Sequence, residues 1–510
     1  MWSAALFWLA CGTLFSCDSA PARPDAAITG AATAEQLGQP PAAASVWLRA
    51  AYGNVELLTT AAARPARQDA PNPARFLPAC AAQFPCDTAP ARADVASSRT
   101  AAEERVRQAP AAARVWLRAA YNGIEMLTTA DARTARWALE ELEALREAVA
   151  RAAPWLASSS APLRIVAFSS EEEFAPYRLH PHSPAYFAGG PEWAVIAIAR
   201  LGPETAASLR HEFIHHLLRS SGHRLPLWLE EGLADALSPL PADEAARRVR
   251  LLRSGRLMDW PLLFQAQPGA ALYQDWDQAR LFYAQSWALA EALLYSAGGR
   301  LDRADLQEWA AMGAGREQDA QALLRRFLKR PRPIGSKWKL GAPDLDCDVP
   351  PAPAGLVWTV LGRLALQLGR LESAEAQLRA ASLLSPESLP WLGDLEYRRG
   401  RLEEARKAWR AAMARDVAGV RTLLRLAVLE QDLPGGEMTP VLEKILALDP
   451  LQEEARLALA SQYIRLGRWS EARQRLTEVR SAPPRWAGFY QQALALVRAK
   501  TSAMELHGTN

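Results

Sequence analysis

The chain has 510 residues, 50% hydrophobic and 23% charged, with a formal net charge of +3. At about 100–200 residues per domain it provides for two to four units, and its composition excludes wholesale disorder and collagen-like repetition. So small a net charge gives no argument for nucleic acid or an acidic membrane surface as partner, and five cysteines do not make a disulfide scaffold.

In chain order, residues 1–17 read as an export signal, with an apolar run, Ala4–Phe15, too short to span a bilayer. The run ends in Leu14-Phe15-Ser16-Cys17, which resembles a bacterial lipobox. That resemblance implies a lipid anchor on Cys17 and a periplasmic, membrane-attached protein of the cell envelope, with plain secretion or an uncleaved anchor as the alternatives. Export implies an oxidising compartment, in which Cys80 and Cys86 either pair locally or stay free thiols. Residues 18–111 are rich in Ala and Pro and read as poorly ordered. Within them Val46–Arg67 (VWLRAAYGNVELLTTAAARPAR) is a partial duplication of Val115–Arg136 (VWLRAAYNGIEMLTTADARTAR).

Residues 112–330 have a globular pattern. Strands are predicted at 123–129 and 163–168, a helix at 137–153, and a short helix at 171–177. A hairpin follows, with 194–199 (AVIAIA) as its apolar second strand, and helices fill 203–328. The Pro-rich stretch 331–354 reads as a linker, in which Cys347 has no evident partner. From 355 to 500 the pattern is helical and repetitive. Trp358, Leu361, Gly362, Gly369, Ala374, Leu378, Ala381 and Pro386 fall at helix-turn-helix spacing. Gly393, Gly400, Ala405, Trp409 and Ala412 repeat it, a weaker unit ends at Pro450, and Tyr463, Gly467, Ala472 and Leu476 repeat it again. This resembles the tetratricopeptide repeat, which implies an all-α solenoid with a surface for a protein partner; a plain helical cap is the alternative.

The chemistry centres on His211-Glu212-Phe213-Ile214-His215. On a helix, positions i and i+4 share a face, so His211 and His215 can grip one cation, with Glu212 about 100° round as the base. Pro203, Glu204 and Gly222 suit the start and end of that helix. Downstream, Trp228-Leu229-Glu230-Glu231-Gly232-Leu233-Ala234-Asp235 resembles the second ligand helix of the gluzincin zinc metallopeptidases. The resemblance covers about 112–328 and implies an α+β zincin-like domain, a small mixed sheet plus helices. It implies Zn2+ held by His211, His215 and Glu231, with Asp235 supporting a ligand histidine and Glu230 turned to solvent. It also implies that Glu212 moves the proton in peptide-bond hydrolysis, and that the 194–199 strand is the edge pairing with extended substrate. Tyr283, in Tyr283-Ala284-Gln285-Ser286-Trp287, is the candidate donor to the oxyanion, with Tyr273 and His223 behind it and helix packing as the alternative. His216 faces away from the pair, His180 and His182 sit in a loop, and Glu192 faintly matches an amine-recognition loop. The reading is thus an exported zinc peptidase whose repeats recruit protein substrate or partner. The alternatives are a repeat scaffold with a relic peptidase domain, and a zinc amidase acting on peptidoglycan.

Overall fold

The computed structural model describes residues 115–507, apart from 158–160, 180–182, 191–192, 268–274, 314, 334–337, 339 and 342. The expectations for the leader, Cys17, Cys80, Cys86, the first copy of the duplication, His180, His182, Glu192 and Tyr273 lie outside the described residues. Most of the described residues fall into two compact units that divide near Val357.

The first unit begins with β1 (Leu117–Tyr121) and β2 (Ile124–Thr128). Asn122 and Gly123 join them with φ of 45° and 80°, the left-handed pair that a two-residue hairpin turn demands. Helix α1 (Ala132–Ala152) follows; Asp131 caps it by accepting from Thr134 N–H at 2.8 Å. Then come β3 (Leu163–Ala167), β4 (Ala185–Gly190) and β5 (Trp193–Ile198). The sheet order is β1-β2-β3-β5-β4, parallel at β2/β3 and β3/β5 and antiparallel at β1/β2 and β4/β5. The strand at 193–198 is therefore interior, and the edge expected there is β4, its hairpin partner. Side chains alternate across the sheet. Ile124, Met126, Ile165, Phe187, Ile196 and Ile198 share a core with the helices. Phe168, outside the strands, stacks at 5.3 Å on Tyr177 and meets Trp116 edge-on at 5.6 Å.

After β5 a 3-10 turn (Pro203–Thr205) leads into α2 (Ala206–Ser220), which packs on β4, β5 and α1. Helices α3 (Leu227–Leu237), α4 (Ala242–Arg253), α5 (Trp276–Ser296), α6 (Arg303–Ala310) and α7 (Glu317–Lys329) complete the unit. The Pro-rich stretch expected to be a linker is in part structural. Leu345 and Cys347 are buried in the same core. Arg118 N–H donates to Pro350 O at 2.9 Å, and Ala352 N–H donates to Trp116 O at 2.7 Å. The segment thus covers β1, whose outer edge would otherwise expose unpaired backbone groups.

The second unit is helical: α8 (Ala354–Gln367), α9 (Leu371–Ser382), α10 (Leu389–Arg398), α11 (Leu402–Ala414), α12 (Val420–Asp432), α13 (Met438–Leu448), α14 (Glu453–Arg465), α15 (Trp469–Thr477) and α16 (Ala487–His507). Successive helices pair antiparallel through small residues. A Cβ on Gly393 would stand 2.2 Å from the Trp409 ring, so the glycine lets α10 and α11 approach. Among the described residues no helix is long and apolar enough to cross a membrane.

Candidate metal centre

Helix α2 is buried along most of its length, and it makes core contacts over more than two turns through Leu209, Phe213, Ile214 and Leu217. Its polar positions are therefore buried with it: His211, Glu212, His215 and His216 are each less than 5% exposed. Helix α3 packs against α2 and is buried from Leu227 to Leu237, Glu230, Glu231 and Asp235 included. Gly232, next to Glu231, is set against α5: a Cβ there would lie 2.4 Å from the Ser286 carbonyl oxygen.

Among the described residues, His211, His215 and Glu231 form the one histidine, cysteine and carboxylate group able to hold an ion. The two Nε2 atoms are 3.1 Å apart, and Glu231 Oε2 lies 3.4 and 3.5 Å from them. Both Nδ1 atoms are engaged behind. His211 Nδ1–H donates to Asp235 at 2.9 Å, and His215 Nδ1–H donates to Glu230 at 3.2 Å. With Nδ1–H held by a carboxylate, Nε2 is the ring nitrogen that each histidine turns toward Glu231 and the one left to ligate a cation. Three such atoms this close need a positive charge among them, a proton or a metal ion. For bonds of 2.0–2.1 Å, the edge of a tetrahedral zinc site is about 3.3 Å. The observed triangle fits that edge, and the nitrogen and oxygen donors suit zinc.

Each supporting carboxylate is itself clamped. Arg219 donates from Nε and Nη2 to the two oxygens of Glu230, both at 2.8 Å. Arg248 donates to Asp235 and, through Nε, to Glu244 at 3.0 Å. Glu230 is thus buried and bonded, not turned to solvent as the sequence suggested. The reason is the α2/α3 packing, which brings Glu230 against the last turn of α2.

The charges follow the geometry. Burial opposes charge on His211, yet Asp235 and Glu231 carry its pKa up to about 9. Burial likewise opposes charge on His215, and Glu231 and Glu230 raise it well above the ordinary value. Burial also disfavours ionised Glu231 and Asp235, but the facing cations, led by His215 and Arg248 respectively, hold both at about 2. The cluster therefore selects positive charge in its centre. Glu212 differs: burial raises its pKa, and Phe187 N–H of the edge strand donates to its Oε2 at 2.8 Å. His216 packs between Phe213 and Phe187, and burial followed by Arg146 pushes it down to about 4. His223 sets its ring edge-on to Trp155 at 5.4 Å. Tyr283 is buried on α5, one turn before Ser286, with its ring edge-on to Phe282.

The structure thus brings together His211, His215, Glu231, Asp235 and Glu212. Sequence reasoning missed Glu230, Arg219, Arg248 and the Phe187 amide. Only Arg219 left a local signal, one turn beyond His215 on the same helix.

The tetratricopeptide repeat family matches residues 439–497, which span α13 to α15 and the first half of α16. This supports a protein-interaction role for the C-terminal region. No curated protein matches the chain.

Proposed function

We propose that the first unit is a zinc-dependent peptidase of the gluzincin type, and that the tetratricopeptide region presents protein substrate or partner to it. The observation that carries this reading is the triangle of His211 Nε2, His215 Nε2 and Glu231 Oε2, with edges of 3.1, 3.4 and 3.5 Å, beside a buried glutamate. Bound there, zinc supplies Lewis acidity, acidifying a water and polarising a carbonyl at neutral pH.

The chain's own residues do the rest. Asp235 and Glu230 hold the two imidazoles in one tautomer and one orientation. Glu212, raised by burial, is suited to accept a proton from the attacking water and pass it to the leaving nitrogen. Its Oε2 is positioned by the Phe187 amide, so the base and the sheet edge are tied together. Strand β4 is antiparallel to β5 and, among the described residues, ends the strand order, so its other side is where an extended peptide would add as a further strand. Tyr283 keeps its place as candidate donor to the carbonyl oxygen.

The test is zinc content by elemental mass spectrometry beside peptide hydrolysis. The parent should hold about one equivalent, and Glu231→Ala should lose it. Glu212→Gln should keep the metal and lose hydrolysis by at least about a hundredfold. A parent that takes up no zinc after reconstitution, or a fully active Glu212→Gln, would overturn the reading. The scaffold alternative would then stand, with the tetratricopeptide match as its support.

A further inference from the structure

Outside the metal centre, the most distinctive charge in the molecule lies at the end of α7. Residues 325–339 (RRFLKRPRPIGSKWK) contain seven cations and no acid, in a chain whose whole net charge is +3. Elsewhere several arginines are matched by carboxylates, among them Arg219 on Glu230, Arg248 on Asp235 and Arg410 on Glu430. Arg325, Arg326, Lys329, Arg330 and Arg332 are exposed, and none has an ion-pair partner among the described residues. Basic residues in a last helical turn gain from the helix dipole, but that effect fades within the turn, and this run continues past the end of α7.

The cations border an apolar cleft. A cavity of about 480 Å³ lies between α4 and α7, lined by Leu252, Leu257, Leu324 and Leu328 together with Arg253, Gln321, Arg325 and Lys329. Arg253 donates across it to the Leu328 carbonyl, and among the described residues Arg325 and Lys329 make no such bond. Phosphates outside and hydrocarbon within are the two chemistries such a surface complements. Nucleic acid would use the cations but has no hydrocarbon for Leu257 and Leu328, the two leucines of the cleft that are partly exposed.

We propose that the C-terminal end of α7 and the α4/α7 cleft form a docking surface for an anionic phospholipid membrane. The exposed cations meet the headgroup phosphates, and the cleft takes the upper part of an acyl chain or packs on the interface. This inference does not rest on the peptidase reading.

The test is co-sedimentation of the full chain with phosphatidylcholine vesicles, pure or containing about 30 mol% phosphatidylglycerol. The parent should bind the anionic vesicles at least about tenfold more tightly, and the preference should vanish in high salt. Replacing four exposed cations together, Arg325→Gln, Arg326→Gln, Lys329→Gln and Arg330→Gln, should abolish it with the melting temperature unchanged. Leu257→Ser keeps every charge and should weaken binding several-fold, which a purely electrostatic patch would not show. Every variant carries the same N-terminal apolar run, so its own contribution cancels. Equal binding to both vesicle types, parent-like binding by the four-Gln variant, or retention of single-stranded DNA with anionic vesicles ignored would overturn the proposal.

Discussion

At the scale of single residues, the centre is built twice over. Each imidazole has a carboxylate behind it and each carboxylate an arginine behind that: His211–Asp235–Arg248 and His215–Glu230–Arg219. The two chains differ in exposure, because the Arg248 side chain is 10% exposed and the Arg219 side chain 31%. Glu230 should therefore act as a positioning residue that governs how firmly His215 presents Nε2. Removing a partner of this kind typically costs 10–100-fold in metal affinity. Glu230→Ala should weaken zinc by about that factor in competition with a chromophoric chelator, and Glu230→Gln, which keeps an acceptor oxygen, should recover much of it. Unchanged affinity in Glu230→Ala would remove the role. The i, i+4 histidines are legible in the sequence because helical periodicity is local. Glu230 is not, because its direction is set by how α3 crosses α2, and a count of 100° per residue along α3 alone sends it to solvent.

Among the elements, the sheet is fastened across three strands by one carboxylate. Glu125 on β2 accepts from Arg118 of β1 at 2.7 Å and from Arg164 of β3 at 2.7 and 2.5 Å. Burial opposes its charge, but the two guanidiniums outweigh that and hold its pKa below the ordinary value. A carboxyl lowered on folding stabilises the protein above its unfolded pKa of about 4.5, and that contribution is lost as pH falls through the folded value. Glu125→Gln should therefore cost stability at neutral pH and flatten the loss seen on acidification below about 4.5, measured by denaturant unfolding at several pH values. A parallel pH dependence in parent and variant would exclude the clamp. The strands at 163–167 and 193–198 are readable as apolar runs. Strand β1 went unpredicted although Asn122-Gly123, a strong hairpin signal, stands at its end. The sheet edge was misplaced for a different reason: strand order is a property of pairing, and an apolar run such as 194–199 marks a strand buried between neighbours, not an edge.

For the whole molecule, what is legible depends on how local the cause is. The helical repeats show in sequence because their causes are local: Gly362 and Gly393 lie where a neighbouring helix leaves no room for a Cβ, and Gly369, Gly400 and Gly467 all take φ near +70° at the same turn of their pairs. Net charge, by contrast, averaged away the cationic end of α7. The segment 344–353 was hidden too, because prolines read as a linker whether or not the chain beyond them docks. Here it docks: Leu345 and Cys347 enter the core, and two backbone hydrogen bonds pair it with 116–118. A buried leucine is worth about 2 kcal/mol, and each hydrogen bond about 1 kcal/mol. A chain of residues 112–353 should therefore melt roughly 10 °C above one of residues 112–330, at about 2–4 °C per kcal/mol for a unit of this size. Leu345→Ala in the longer chain should remove part of that gain. Equal melting temperatures for the two chains would return the segment to the status of a linker and leave β1 as an open edge.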